Sequence, residues 1–302
     1  MDSLIRSNWF AAAAHVGSAA VIIALYNYYD AARARSDVLT YRYQIAAPDT
    51  LPQCNTSGEV PPTPDRCNVD LVYQKPKQVA RFNIIYGVVL FFFFTALAHI
   101  YYGTDGAGTG KYSQAIRDGW NPFRWVEYAL SASLMSVLVG LVDGTRDTGA
   151  LIGLVALTAA TMGCGFVVES ILRGPVNQLV RDTVLAATAV GWTLFLGLWV
   201  ILLYQFATTV SDVHNLYEGV LDPNGDPVRV PTWVWVVVFL QLAYYASFGV
   251  VQIMHIRKKF SGGPFNYISI EKAYIFLSFF AKLSLAAGLG YGLIFRAKDC
   301  SP

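Results

Sequence analysis

Lys282 is a lone ammonium near the middle of an apolar run of 23 residues, Ala273–Phe295. Folded as a helix, such a run spans the hydrocarbon core of a bilayer. A Lys at its centre costs roughly 2.5–3.5 kcal/mol on insertion scales, so an intramembrane Lys is a functional candidate by default. A buried Lys amine can also form a Schiff base with a carbonyl ligand. A positive imine in an apolar bundle then needs an anion at its own depth.

One carboxylate fits that requirement. Arg124 and Glu127 lie three residues apart, hence on one face of the third apolar segment. The third and seventh segments enter the membrane from the same side, so their depths compare directly. Glu127 is about six residues in, roughly 9 Å, and Lys282 about ten residues in, roughly 15 Å. Helix side chains lean toward the N-terminus, which returns the Lys282 nitrogen toward the carboxylate. Ser278 precedes Lys282 by one turn, and Ser131 follows Glu127 by one turn. His15, Thr95 and His99 fall at the same level of the first two segments. A Ser or Thr in a membrane helix commonly bonds its own i−4 carbonyl. A single buried His is commonly a satisfied core residue. Gathered at one depth around a Lys and a Glu, these groups read instead as a polar cavity. The opposite half of the expected bundle holds no Asp, Glu, His or Lys within its helices, so the cavity is one-sided.

The elements that position these residues are legible. The 302 residues are 55% hydrophobic and 14% charged, where soluble domains carry about a quarter charged. Mean hydropathy is +0.43. Seven apolar segments stand at about 8–29, 83–102, 122–142, 148–169, 184–207, 232–255 and 273–295. Each approaches the length of a spanning helix, which predicts an all-α seven-helix membrane bundle in one domain. The first segment lacks a small-residue cleavage site and reads as a retained helix. With the N-terminus in the cytoplasm, Arg6, Lys111, Arg117, Arg173, Arg181, Arg257, Lys258, Lys259 and Lys272 also lie there, the positive-inside pattern. The C-terminus is then extracellular.

The loop over 30–81 holds seven basic residues and opposes that orientation, but its other features support it. Leu39, Tyr41, Tyr43 and Ile45 alternate with polar residues, as do Val69, Leu71 and Tyr73, which predicts an extracellular β-hairpin with a long tip. Cys54 and Cys67 bracket the tip, and Asn55 opens a glycosylation sequon. A Cys54–Cys67 disulfide and a glycan at Asn55 both require the outer face. Cys164 lies in a helix and reads as packing. The glycine-rich stretch Gly103–Gly110 follows a membrane helix rather than a strand, and reads as a loop instead of a phosphate cradle. No catalytic constellation or nucleic-acid signal stands out, so neither an enzyme nor a nucleic-acid partner is expected.

Two stretches carry a resemblance. Asn121–Tyr128 (NPFRWVEY) and Glu271–Lys282 (EKAYIFLSFFAK) resemble the third- and seventh-helix signatures of the heliorhodopsins. These are retinal-binding seven-helix proteins inverted relative to ordinary microbial rhodopsins. The resemblance implies all-trans retinal on Lys282 as a protonated Schiff base, with Glu127 as counterion. Ser278, His15, His99, Thr95, Arg124 and Ser131 then form the Schiff-base region and its cytoplasmic-side cavity. Glu169 and Glu271 are cytoplasmic-side acids, Gln252 matches a glutamine of helix six, and Tyr128, Tyr245 and Phe248 line the retinal pocket. A homodimer and a cytoplasmic signalling partner are implied as well. The long cysteine-bearing first loop departs from the family pattern.

The expected function is light sensing with a slow photocycle. Ser278 replaces the Asp that ordinary microbial rhodopsins carry one turn before the lysine, and Leu138 stands where proton pumps of that class keep a second carboxylate. Efficient pumping is therefore not expected. A ligand-activated receptor would need its N-terminus outside, against the charge pattern. A light-gated passive proton conductor is the alternative, because a conductor needs only water and weakly polar groups.

Overall fold

The computed structural model describes residues 1–28, 37–45, 74–105, 110–221, 227–262 and 266–295. Eight α-helices and one hairpin make up the described chain: α1 (Asp2–Tyr28), β1 (Asp37–Ile45), β2 (Gln74–Asn83), α2 (Ile84–Thr104), α3 (Lys111–Arg117), α4 (Pro122–Asp143), α5 (Thr148–Ile171), α6 (Gln178–Leu216), α7 (Thr232–Phe260) and α8 (Tyr267–Gly290). A π-helical turn, Tyr291–Phe295, continues α8. All the helices except α3 are long and apolar enough to cross a membrane, seven in number.

The helix starts are set chemically. Asn83, Asn121, Asp147, Asn177 and Asn266 each accept a backbone N–H of the first turn of α2, α4, α5, α6 and α8. Each cap satisfies a donor that a helix terminus otherwise leaves orphaned. Pro122 at the start of α4 supplies a fixed φ where no N–H is needed. At its other end Gly144 takes φ +109, so α4 stops after Asp143.

The spans pack in sequence as a ring, α1 on α2, α2 on α4, α4 on α5, α5 on α6, and α7 on α8, which returns to α1. Helix α4 also touches α6 and α7, which makes it the inner element. Two cores result. The one at the end that holds Met1 is rich in aromatics, including Tyr102, Tyr112, Trp125, Tyr128 and Tyr274. The one at the opposite end is mainly aliphatic, with Leu138, Leu141, Leu198, Leu202, Leu285 and Leu289.

The hairpin sits at that opposite end. Tyr41 N–H donates to the Arg146 carbonyl at 2.9 Å, and Thr148 Oγ1 donates to the Tyr41 carbonyl at 3.0 Å, which ties β1 to the α4–α5 turn. β1 pairs antiparallel with β2 with an irregularity at Thr40/Tyr41.

The hairpin forms as expected, with Gln74–Asn83, which runs directly into α2, paired to β1. The alternating residues at 69–73, with Cys54, Asn55 and Cys67, lie outside the described residues. Several expectations need correction. Helix α6 extends from Gln178 to Leu216, well past the expected 184–207, because polar turns continue it at both ends. The seventh span begins at Tyr267, six residues before the apolar run. The helical segment α3 lies in a stretch expected to be loop. The far half of the bundle also carries titratable groups after all: Asp143 is the fully buried last residue of α4, and Asp212 and His214 lie within the last turns of α6.

Candidate functional site

The site forms where α8, α4 and α2 meet. Lys282 Nζ lies 3.3 Å from Glu127 Oε1, with both side chains almost wholly buried. Lys282 also donates to Ser278 Oγ at 2.7 Å, one turn back on the same helix. Thr95 Oγ1 of α2 donates to Glu127 Oε1 at 2.5 Å. The Tyr128 ring lies beside the ammonium, its centroid 5.3 Å from Nζ. A charge pair in so dry a place is held only if hydrogen bonds satisfy its remaining valences. Thr95 and Ser278 provide them.

Beyond Thr95 the two expected histidines meet. His15 of α1 and His99 of α2 stack with ring centroids 5.6 Å apart. His99 Nδ1 bonds Asn8 Oδ1 at 2.8 Å, and Asn8 Nδ2 donates to the Tyr112 hydroxyl at 3.1 Å, so the chain of contacts reaches α3. His15 and Ser131 are buried with side-chain polar atoms that lack a hydrogen-bond partner among the described residues.

Arg124 does a different job from its neighbour one turn on. It shares a face of α4 with Glu127, yet its guanidinium leans toward the amino-terminal end, as helix side chains do. There its Nη2 pairs with Glu169 of α5 at 2.5 Å and its Nη1 with Glu271 of α8. Tyr267 donates to both Glu169 oxygens, at 3.1 and 3.0 Å, and Trp125 Nε1 donates to the second at 2.9 Å. Asn121 Nδ2 donates to Glu271 at 2.7 Å, and His255 Nδ1 of α7 stands 3.4 Å from Glu169. The Tyr274 ring lies under the guanidinium at 3.9 Å. This cluster ties four helices together and closes the bundle at the amino-terminal end.

On the other side of Lys282 the space is apolar. A space of about 370 Å³, its open mouth included, lies at the amine and is walled by Tyr128, Met162, Tyr245 and Phe248. The same four side chains border a second space of about 730 Å³, its open mouth included, which runs between α5, α6 and α7 past Cys164, Trp192 and Phe195. Glycines give it its shape. A Cβ on Gly165 would lie 2.2 Å from the Trp125 ring, and one on Gly249 would lie 2.6 Å from the Trp192 ring. Their absence lets two indoles lie flush against neighbouring helices. Tyr245 donates to the Ala132 carbonyl at 2.8 Å, and Gln252 accepts from Tyr274 at 2.7 Å, so the polar tips are anchored and the ring faces line the slot.

The heliorhodopsin family model matches residues 4–292. The chain belongs to the heliorhodopsin family. Comparison with curated proteins gives no match. Family membership and the seven apolar spans make it an integral, multi-pass, retinal-binding protein of the rhodopsin-like photoreceptor class. Heliorhodopsins are not an enzyme family.

Several residues of this heliorhodopsin escaped the sequence reading. His255 stands one residue from a basic run and reads as interfacial, although it is fully buried. Asn8 and Tyr112 carry no spacing signal, because their link joins residues 104 positions apart. Asn121 was legible as a helix cap but not as a Glu271 partner. Asp143 falls one residue beyond the third apolar segment, although a carboxylate directly before a glycine marks a helix terminus that can fold inward.

Proposed function

We propose that the protein is a light sensor in which all-trans retinal is held on Lys282 as a protonated Schiff base, with Glu127 as its counterion and a slow cycle without efficient ion pumping. The observation that carries this reading is the buried Lys282–Glu127 contact at 3.3 Å, placed at the closed end of the apolar slot. When bound, retinal supplies a light-driven change of shape and charge distribution at the Lys282 nitrogen. The chain's own groups do the rest. Glu127 balances the positive charge and is the nearest acceptor for its proton. Thr95 and Ser278 hold the two groups in place through the hydrogen bonds at 2.5 and 2.7 Å. His15 and His99 offer the next titratable nitrogens toward the amino-terminal end, and the Arg124 cluster closes that end. Tyr128, Tyr245 and Phe248 exclude water from the slot.

Transport is opposed by what lies on the other side. Between Lys282 and Asp143 stand Leu138, Leu141, Leu285 and Leu289, all buried and all aliphatic. A proton released toward the histidines therefore has no titratable stepping stone through this layer. We further propose that the amino-terminal end faces the cytoplasm, on the strength of the basic loops at that end, and that the protein works as a homodimer with a cytoplasmic signalling partner. Absorption spectra of the purified apoprotein with and without all-trans retinal test the reading. A visible band is expected from the native chain and none from Lys282→Ala; a hydroxylamine-bleachable visible pigment in the variant refutes the assignment.

A further inference from the structure

The outer face of the α1–α8 contact carries a groove with a distinct division of chemistry. Its open space measures about 1100 Å³, and at its amino-terminal end stand Arg6 and Lys272. Below each cation, one helical turn on, is a phenylalanine: Phe10 follows Arg6 on α1, and Phe276 and then Phe280 follow Lys272 on α8. Spacing of four residues puts each series on one face of its helix. From Lys272 to Phe280 the stripe runs about 12 Å along the helix.

These aromatics are not covered by the protein. Phe10 is 70% exposed, Phe276 63% and Phe280 36%. On a membrane-spanning face, exposure means contact with acyl chains, and the groove gives one chain a walled seat. At the groove's mouth Lys272 Nζ donates across to Ser3 Oγ of α1 at 3.0 Å. An ammonium has three donors, so this bond leaves Lys272 able to reach an anion as well.

We infer that this groove binds an anionic phospholipid, with its headgroup phosphate between Arg6 and Lys272 and one acyl chain along Phe10, Phe276 and Phe280. Charge complementarity selects the headgroup: two cations of different helices converge at the groove's mouth, at the depth where a headgroup lies. A basic side chain near an anionic membrane surface gains about 1 kcal/mol, so two at one headgroup give a lipid of net negative charge a preference of about thirtyfold over a zwitterionic lipid, whose phosphate is offset by its own ammonium. The site also touches the polar cluster beside Lys282. Phe279 forms part of the groove, and its ring meets Phe10 at 6.4 Å and His15 edge-on at 5.7 Å. A lipid seated here restrains the ring that backs His15, which gives the membrane's composition a route to the light-sensing site.

The test needs no chromophore, so its failure is separable from failure of the retinal reading. The full chain is purified in phosphatidylcholine nanodiscs with and without phosphatidylserine, and retained lipid is counted by native mass spectrometry. One tightly retained phosphatidylserine per chain is expected. The double variant Arg6→Gln/Lys272→Gln should weaken its retention about thirtyfold, and Phe276→Ala should weaken it with the charges intact. Arg257→Gln/Lys258→Gln, an exposed basic pair on α7 at the same end of the bundle, should leave it unchanged. Equal loss in both double variants would show only a diffuse surface potential and overturn the site. Displacement of the lipid by inorganic phosphate at physiological ionic strength would assign the cations to a free anion and overturn it too. Circular dichroism checks that each variant is folded; Phe276→Ala, at an exposed position, supplies the test should the charge variant fail that check.

Discussion

Thr95 and Lys282 converge on one oxygen of Glu127, the hydroxyl at 2.5 Å and the ammonium at 3.3 Å. A donor on the counterion oxygen draws negative charge away from the nitrogen that needs it. Replacing Thr95 with Val removes the donor while keeping the branched shape. The freed charge then holds the positive charge of the proposed pigment more tightly in its ground state, and the absorption band should move to the blue. Thr95→Ser, which keeps the hydroxyl, should leave the band in place. A red shift in Thr95→Val, or an unchanged band, would remove Thr95 from the counterion's shell.

Glu127→Gln tests the counterion itself. A buried cation without its anion either gives up its proton or keeps it with its charge unbalanced. The pigment should therefore absorb in the near ultraviolet at neutral pH or, if the proton stays, shift to the red. A visible band at the native wavelength with an unchanged alkaline transition would mean that another group balances the charge.

The sequence carried the spans and the Lys–Glu pair because both obey local rules. Apolar runs near twenty residues mark spans, and a charge inside one stands out against its neighbours. Depth then followed from the rise of a helix, and Lys282 and Glu127 do lie in contact. What failed depended on partners distant in the chain. Arg124 has i, i+3 spacing to Glu127, but spacing cannot say that two other helices bring Glu169 and Glu271 to the guanidinium first. Alternation marks a hairpin after α1, but it does not tell that the more polar Gln74–Asn83 pairs with β1 and abuts the start of α2. Asp143 is inward because Gly144 turns the chain and Thr145 donates its N–H and hydroxyl to the carboxylate at 3.2 and 2.9 Å. None of that geometry is written in hydropathy.

Removing the Arg124 guanidinium should be costly to the fold. Its two carboxylate partners are at most 1% exposed, and losing one member of a buried ion cluster costs about 3–5 kcal/mol because the remaining charges are uncompensated. Arg124→Gln should lower the thermal transition of the purified protein markedly. Arg124→Lys should recover only part of the loss, since a point-like ammonium cannot fork between two carboxylates as a guanidinium does. A melting profile for Arg124→Gln that matches the native one would show that the cluster does not hold the helices together.

The last prediction concerns current. After light absorption the proton at Lys282 has Glu127 at 3.3 Å, and beyond it the stacked His15 and His99, all on the amino-terminal side. The buried carboxylate of the far half, Asp143, has one oxygen occupied by Thr145. The aliphatic layer of Leu138, Leu141, Leu285 and Leu289 separates it from Lys282. A pump must release a proton on one side and recover it from the other, and that layer offers no group to carry it. Water could bridge such a layer without any titratable side chain, which is the physical opening for a passive conductor. Voltage-clamped cells that express the protein should therefore show no sustained photocurrent at zero voltage and equal pH. A steady current under those conditions would refute the sensor reading. A current that appears only with an applied voltage or pH gradient would favour the conductor, and Asp143→Asn, which removes the far carboxylate, should then reduce it.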